Sequence, residues 1–298
     1  MPHRTGYCCI NSTLAKQKIT TGRTLRQASF RQDTKLERTS LLTLQNARDL
    51  VTILKWNVAN NVRVFRIGSN IFPWFEEYQE TDLPDYQHIV LALREAGDII
   101  MASGMRVSFH PDHFVKLASS KPEVVKRSLN NLHHHNLLFD MMGIPANHYY
   151  PLNIHVGMNF TLEVVDRFID RFQMLKDDTK KRLVVENDDK ANSFSVKQLF
   201  DHIYMKINTP ITFDYFHHTF HPDGLTSHGA AHLASTTWDC TPLFHYSESK
   251  NLNEGVSGNP RAHSDYALNC IDDYHLNIDI DLETKAKELA WLKYQEMI

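Results

Sequence analysis

The sequence predicts an α/β fold, a (β/α)8 TIM barrel formed by one domain over residues 1–298. Three observations predict it. Apolar runs of strand length alternate with segments of helical periodicity along the whole chain. Eight strand candidates occur, each followed by a helical segment. Six runs end in a histidine or a carboxylate: His110, His155, Glu186, Asp214, His245 and Glu283, at spacings of 45, 31, 28, 31 and 38 residues. A strand, a helix and their loops take about 30 residues or more. In a barrel of such units every strand's C-terminal end lies at one mouth, so the six side chains are expected to converge. A doubly wound sheet would use fewer strands and gather ligands at a switch point.

The elements follow in order. Gly6–Ile10 reads as the first strand, and a polar, basic stretch runs from Asn11 to Thr39. From Ser40, the apolar residues Leu44, Ala47, Val51, Leu54 and Val58 recur at helical spacing, and Val62–Gly68 is the second strand. A helix over 86–102 precedes the strand ending at His110. Ser120 is placed to cap a helix with Pro122 in its first turn, ending at Met142 before Gly143. The strand to His155, a helix over 161–175, the strand 182–186, a helix over 195–206 and the strand 209–214 follow. Helical segments over 226–236 and 263–272 flank the seventh strand, 242–246, and the eighth ends near Glu283 with a helix over 283–297 behind it.

Composition narrows the classes. At 42% hydrophobic and 22% charged, the chain is ordinary for a folded domain with a large core. A net charge of −3 excludes a polycation but not a local basic groove. The four cysteines form no CxxC and no disulfide framework, and no run approaches a membrane span, so a soluble intracellular protein is expected.

Histidine is the outlier, with 18 residues. Imidazole nitrogen and carboxylate oxygen suit divalent ions of the Zn or Mn type. Three imidazoles and three carboxylates are enough for two ions, with Glu186 as the bridge. His217 and His263, each near a strand end, could hold a third. A single histidine at a strand end is ordinarily just hydrogen-bonded; six in register are not independent. His133, His134 and His135 fall mid-helix and read as surface or groove residues, and His228 and His232 are four apart. Asn187, in Glu186–Lys190, either orients a ligand or belongs to an Asn/Asp-rich turn.

These segments resemble the UV damage endonuclease (UVDE) family over nearly the whole chain. The carrying motifs are Gly6-Tyr7-Cys8 with Asn11, Arg23–Arg26, Phe65–Gly68, Ser108–Pro111, Asn153–His155, Glu186–Lys190, Asp214 with His217-His218, Ala262–Asp265 and Glu283–Lys285. More distantly, the set is similar to endonuclease IV and to xylose isomerase-like barrels. The resemblance implies a Mn2+-dependent enzyme, with Zn2+ or Mg2+ as substitutes, that nicks duplex DNA immediately 5′ to UV photoproducts and in some members at abasic sites. It implies one ion on His110, His155 and Glu186, a second on Glu186, Asp214, His245 and Glu283, and a third on His217 and His263. Tyr7 and Asn11 match lesion-pocket residues. Arg23 and Arg26 belong to a basic loop suited to DNA phosphates. His113 and Phe114 stand where some members place Gln-Tyr, and Leu243 stands where some carry a modified lysine. Neither a membrane nor an obligate protein partner is implied. The rival readings are an abasic-site endonuclease, a metal-dependent sugar isomerase and a non-catalytic damage binder.

Overall fold

The structure, a computed structural model, describes residues 3–31, 33–112 and 114–298. Eight strands form one parallel sheet: β1 (Arg4–Cys9), β2 (Val64–Ile67), β3 (Arg106–Phe109), β4 (Leu152–His155), β5 (Leu183–Glu186), β6 (Ile211–Thr212), β7 (Leu243–Tyr246) and β8 (Asp279–Leu282). Neighbours run β6-β5-β4-β3-β2-β1-β8-β7. The two ends meet where Asp214 bridges His245 and the His245 N–H donates to Phe213 O at 3.0 Å, which closes the barrel. The expected fold class is the one observed.

The strands form because each short apolar run is buried on both faces, as a parallel sheet under helices requires. Side chains alternate, so outward residues such as Phe65, Ile67, Val185 and Ile280 pack under the helices. The inward residues stack in layers. The floor holds Val64, Val184, Leu243 and Trp238, with Arg106 paired to Asp279 at 3.0 Å. The middle layer holds Arg66, Ser108, Asn153 and Asp281, and above it, at the mouth, lie His110, His155, Glu186, His245 and Glu283.

Most helices fall where periodicity puts them, including Tyr86–Ser103, Leu162–Gln173 capped by Thr161, and Ser227–Ser235 capped by Thr226. Pro122–Met142 ends at Gly143 in the left-handed region, φ 73°, but its N-cap is Lys121, not Ser120. The first long helix begins at Lys35, a turn earlier than the apolar stripe.

The stretch 263–272 is not helical. Its apolar residues Ala267 and Ile271 enter the core from an irregular loop, whose Leu268 and Asn269 N–H groups donate to the buried Glu248 carboxylate. A carboxylate collecting loop amides replaces the helix that the spacing suggested. After β7 only the short helix Lys250–Glu254 forms, and the last helix is Glu288–Gln295, not 283–297.

Candidate metal centre

Glu186 sits at the centre of the mouth, 1% exposed, and four imidazoles surround its carboxylate. Oε2 lies 3.0 Å from His110 Nε2, 3.2 Å from His245 Nδ1 and 3.9 Å from His155 Nε2, and Oε1 lies 3.4 Å from His217 Nδ1. Asn153 Nδ2 also donates to Oε2. His245 Nδ1 reaches Glu283 Oε1 at 3.3 Å, and His263 Nδ1 lies 3.8 Å from Glu283 Oε2. Two sets have ligand atoms close enough for one ion: His110, Glu186, His245 and Glu283; and His155, Glu186 and His217. Glu186 is common to both, as a bridge would be. The tight sets differ from the grouping the resemblance implies: His155 falls with His217, His110 falls with His245 and Glu283, and Asp214 and His263 lie outside both.

The imidazoles are oriented in the manner of metal ligands. His110, His217 and His263 each turn Nδ1 to a backbone carbonyl (Pro111, Asn187 and Glu283, at 3.1, 3.0 and 3.0 Å), leaving Nε2 for the cleft. His245 is turned the other way, with Nε2 accepting from the buried Arg66 at 2.8 Å. Arg66 also pairs with Glu283 Oε1 at 2.6 Å. His155 Nδ1, Glu186 Oε1, Asp214 Oδ2 and His245 Nδ1 are buried without a hydrogen-bond partner. Buried polar atoms are seldom left so, and four around one point fit a cation whose donor set is nitrogen and carboxylate oxygen.

The electrostatics match. Burial opposes ionisation of Glu186, but the surrounding imidazoles hold it well below the usual carboxylate range. Burial pushes Asp214 up to about 7, with Glu186 and Glu283 adding to the effect. Burial works against a charge on His217, yet Asp214, Glu186 and Glu283 outweigh it and raise the ring to about 9. The centre thus collects protons where it could collect cations.

From this centre a cleft of about 740 Å³ runs past His110, His155, His217 and His263 to Lys116, Arg167, Lys190 and Arg261. None of these four was expected as a DNA contact: Lys116, Lys190 and Arg261 lie on three loops and Arg167 on the helix Leu162–Gln173, and no run of charge marks them. Arg66 had a signal: it is a charge inside the short apolar strand Val64–Ile67, within the Phe65–Gly68 motif.

The expected DNA-facing residues differ in exposure. Tyr7 is 0% exposed, its hydroxyl donating to Asn57 at 2.6 Å and accepting from Asn11 at 3.1 Å. Asn11, equally buried, caps the turn Ser12–Ala15. Both brace the first loop from inside. Arg23 is tied to Asp49 at 2.7 Å and to the Thr20 carbonyl, so it pins its loop, while Arg26 is exposed. Phe114 is 71% exposed on the rim, and His113 lies outside the described residues.

His134 and His135 are buried, not surface residues. His134 stacks on Phe75, centroids 3.9 Å apart, and pairs with Glu80; His135 turns Nδ1 to Asn131 O. His228 and His232 touch, centroids 4.4 Å apart, but among the described residues no third ligand joins them. Leu243 lies in the apolar floor, two residues below His245.

A parallel eight-stranded barrel with a carboxylate ringed by imidazoles at its C-terminal mouth defines a class of metal-dependent barrel enzymes. Within that class the chain belongs to the UV-endonuclease UvdE family, whose model matches residues 3–297. It is 30% identical to the UV DNA damage endonuclease of Bacillus mycoides strain KBAB4, covering 97% of this chain and 92% of that protein. It is 31% identical to the UV-damage endonuclease of Schizosaccharomyces pombe over 96% of this chain but spans only 49% of the yeast protein. The crystal structure of SacUVDE superposes with a TM-score of 0.85 at 30% identity, covering 99% of this chain and 98% of that one. Endonuclease IV from Thermus thermophilus has a TM-score of 0.57 at 13% identity, covering 98% of each chain, and shares the fold alone. No helix among the described residues is long and apolar enough to cross a membrane.

Proposed function

We propose that the protein is a DNA repair endonuclease that nicks the backbone immediately 5′ to UV photoproducts, using two or three divalent cations, Mn2+ by preference. The observation that carries the reading is the buried Glu186 carboxylate shared by two ligand sets within one mouth. Family membership supplies the substrate class.

In this reading His110, His155, Glu186, Asp214, His217, His245, His263 and Glu283 would hold the ions, Glu186 being common to both ligand sets. Divalent cations held there would supply Lewis acidity, neutralising phosphate charge and lowering the pKa of water. The chain's own residues do the rest. Asn153 and the imidazoles keep Glu186 ionised and fixed. Lys116, Arg167, Lys190 and Arg261 line the cleft where a phosphate backbone would run, giving salt-dependent affinity. Arg26 and Phe114, both exposed, are left to meet the duplex outside the cleft, Phe114 by stacking.

The test is an end-labelled duplex carrying one cyclobutane dimer, incubated with Mn2+ and, in parallel, with EDTA. A single cut immediately 5′ to the dimer, absent in EDTA, is expected. Cutting only a matched duplex with one abasic site would assign the protein to abasic-site repair, and binding without cutting would refute the catalytic reading.

A further inference from the structure

Asn187 follows the bridging Glu186 and is itself 1% exposed, so its amide reaches neither solvent nor a substrate. Its Nδ2 donates to Asp214 O at 3.1 Å, and its Oδ1 accepts from Asp214 N at 2.8 Å. One side chain thus satisfies both backbone groups of Asp214. The reason lies in the ladder. Pairing between β5 and β6 ends at Glu186 with Thr212, and β6 is only two residues long. Beyond that point the side-chain amide takes over the role of the missing strand backbone. Without the clasp the buried Asp214 N–H would have no partner and Asp214 O would keep only the His218 N–H at 3.1 Å, a costly arrangement.

The clasp reaches further than Asp214. The Asn187 carbonyl holds His217 Nδ1 at 3.0 Å, and Asp214 Oδ1 accepts from His217 N at 2.7 Å. With Oδ1 engaged at the start of that helix, Asp214 Oδ2 is the oxygen left buried and unpartnered. On its other side Asp214 bridges His245.

We infer that Asn187 is a positioning residue of the centre: its amide fixes Asp214, and its carbonyl fixes His217, against Glu186. The inference rests on the reading above, in which Asp214 and His217 hold cations. Partners of this kind, one bond removed from the ions, commonly govern metal affinity by about 10- to 100-fold.

The deciding variant is Asn187→Asp. It keeps an acceptor for Asp214 N, loses the donor to Asp214 O, and adds a negative charge beside the cation site. Charge alone would tighten cation binding; loss of positioning would loosen it. The probe is Mn2+ alone, titrated calorimetrically into EDTA-stripped full-length protein. We expect affinity to fall at least about tenfold, with kcat on the dimer duplex falling while KM is kept. Thr237→Val is the structural control, because Thr237 Oγ1 accepts from Ile211 N at the other end of the same strand. It should lower the Tm and leave the Mn2+ isotherm unchanged.

Wild-type or tighter Mn2+ affinity in Asn187→Asp overturns the inference, as does equal weakening in Thr237→Val. If Asn187→Asp does not fold, Asn187→Ser takes its place, and wild-type affinity there overturns the inference too. Asp214→Asn separates the two levels. If that variant binds Mn2+ normally, the ligand reading falls and the inference with it. If it binds weakly while Asn187→Asp does not, only the inference falls.

Discussion

The barrel buries charge at both ends, and the two ends treat it differently. At the floor, Arg106 donates to the carbonyls of Tyr149, Thr241 and Pro242 and to Asp279, which also pairs with Arg4. The rings of Tyr149 and Trp238 lie against its guanidinium. No polar side-chain atom of Arg4, Arg106 or Asp279 is buried without a partner. At the mouth, Glu186, Asp214, His155 and His245 each keep a buried atom unpartnered. The floor is a finished ionic network and holds the strands together. The mouth leaves polar atoms unpaired, as a site for the proposed cations would.

The largest expected effect is on catalysis at the mouth. Glu186→Gln keeps the shape and removes the shared charge, so nicking of the dimer duplex should fall by at least about 10³-fold, roughly 4 kcal/mol of barrier, while urea denaturation in EDTA moves little. At the floor the pattern should reverse. Arg106→Leu leaves Asp279 short of a buried partner and should cost about 3 kcal/mol by urea denaturation, with Mn2+ affinity unchanged. Saturating Mn2+ should stabilise the wild type by about 2.7 kcal/mol at a hundredfold excess over Kd. Arg106→Leu should keep that gain and Glu186→Gln should lose it. A gain in Glu186→Gln equal to wild type would erase the distinction between the two ends.

Acid separates two kinds of buried histidine. His217 is raised by the carboxylates around it, but His135 is depressed to about 3, chiefly by burial, with His134 and His110 adding to the effect and the Asn131 carbonyl opposing it. The unfolded ring titrates near its ordinary value of about 6.5. The unfolded chain therefore binds the proton first, and His135 contributes stability that is complete above pH of about 6.5 and is lost on the way down to about 3. The slope is about 1.4 kcal/mol per pH unit, and His135→Leu should remove that share of it in urea titrations between pH 4 and about 6. The smallest effect is at the cleft. Arg261→Ala should lower the slope of log affinity for duplex against log salt by about 1, with the cut position unchanged.

The strand ends were legible because a strand buried on both faces reads as an apolar run, so a polar residue closing it stands out. That logic found Glu186, Asp214 and the imidazoles together. It could not see Lys116, Arg167, Lys190 and Arg261, because the fold gathers them from four separate places. It misplaced His134 and His135, since helical spacing gives the face but not what packs on it; here Phe75 and Phe109 cover them. For Tyr7 and Asn11 a motif names the residues but not their burial, which only the fold supplies. In 263–272 apolar spacing imitated a helix that the Glu248 carboxylate had already replaced.

The barrel closes where Asp214 meets His245. Between β6 and β7 the last stitch of the sheet is thus made by two of the residues proposed to hold the ions. Sealing that seam is what brings His245, on β7 beside β8, up to Glu186 on β5. In the proposed reading, cations held at this seam would also act as rivets across the joint that turns an open sheet into a barrel.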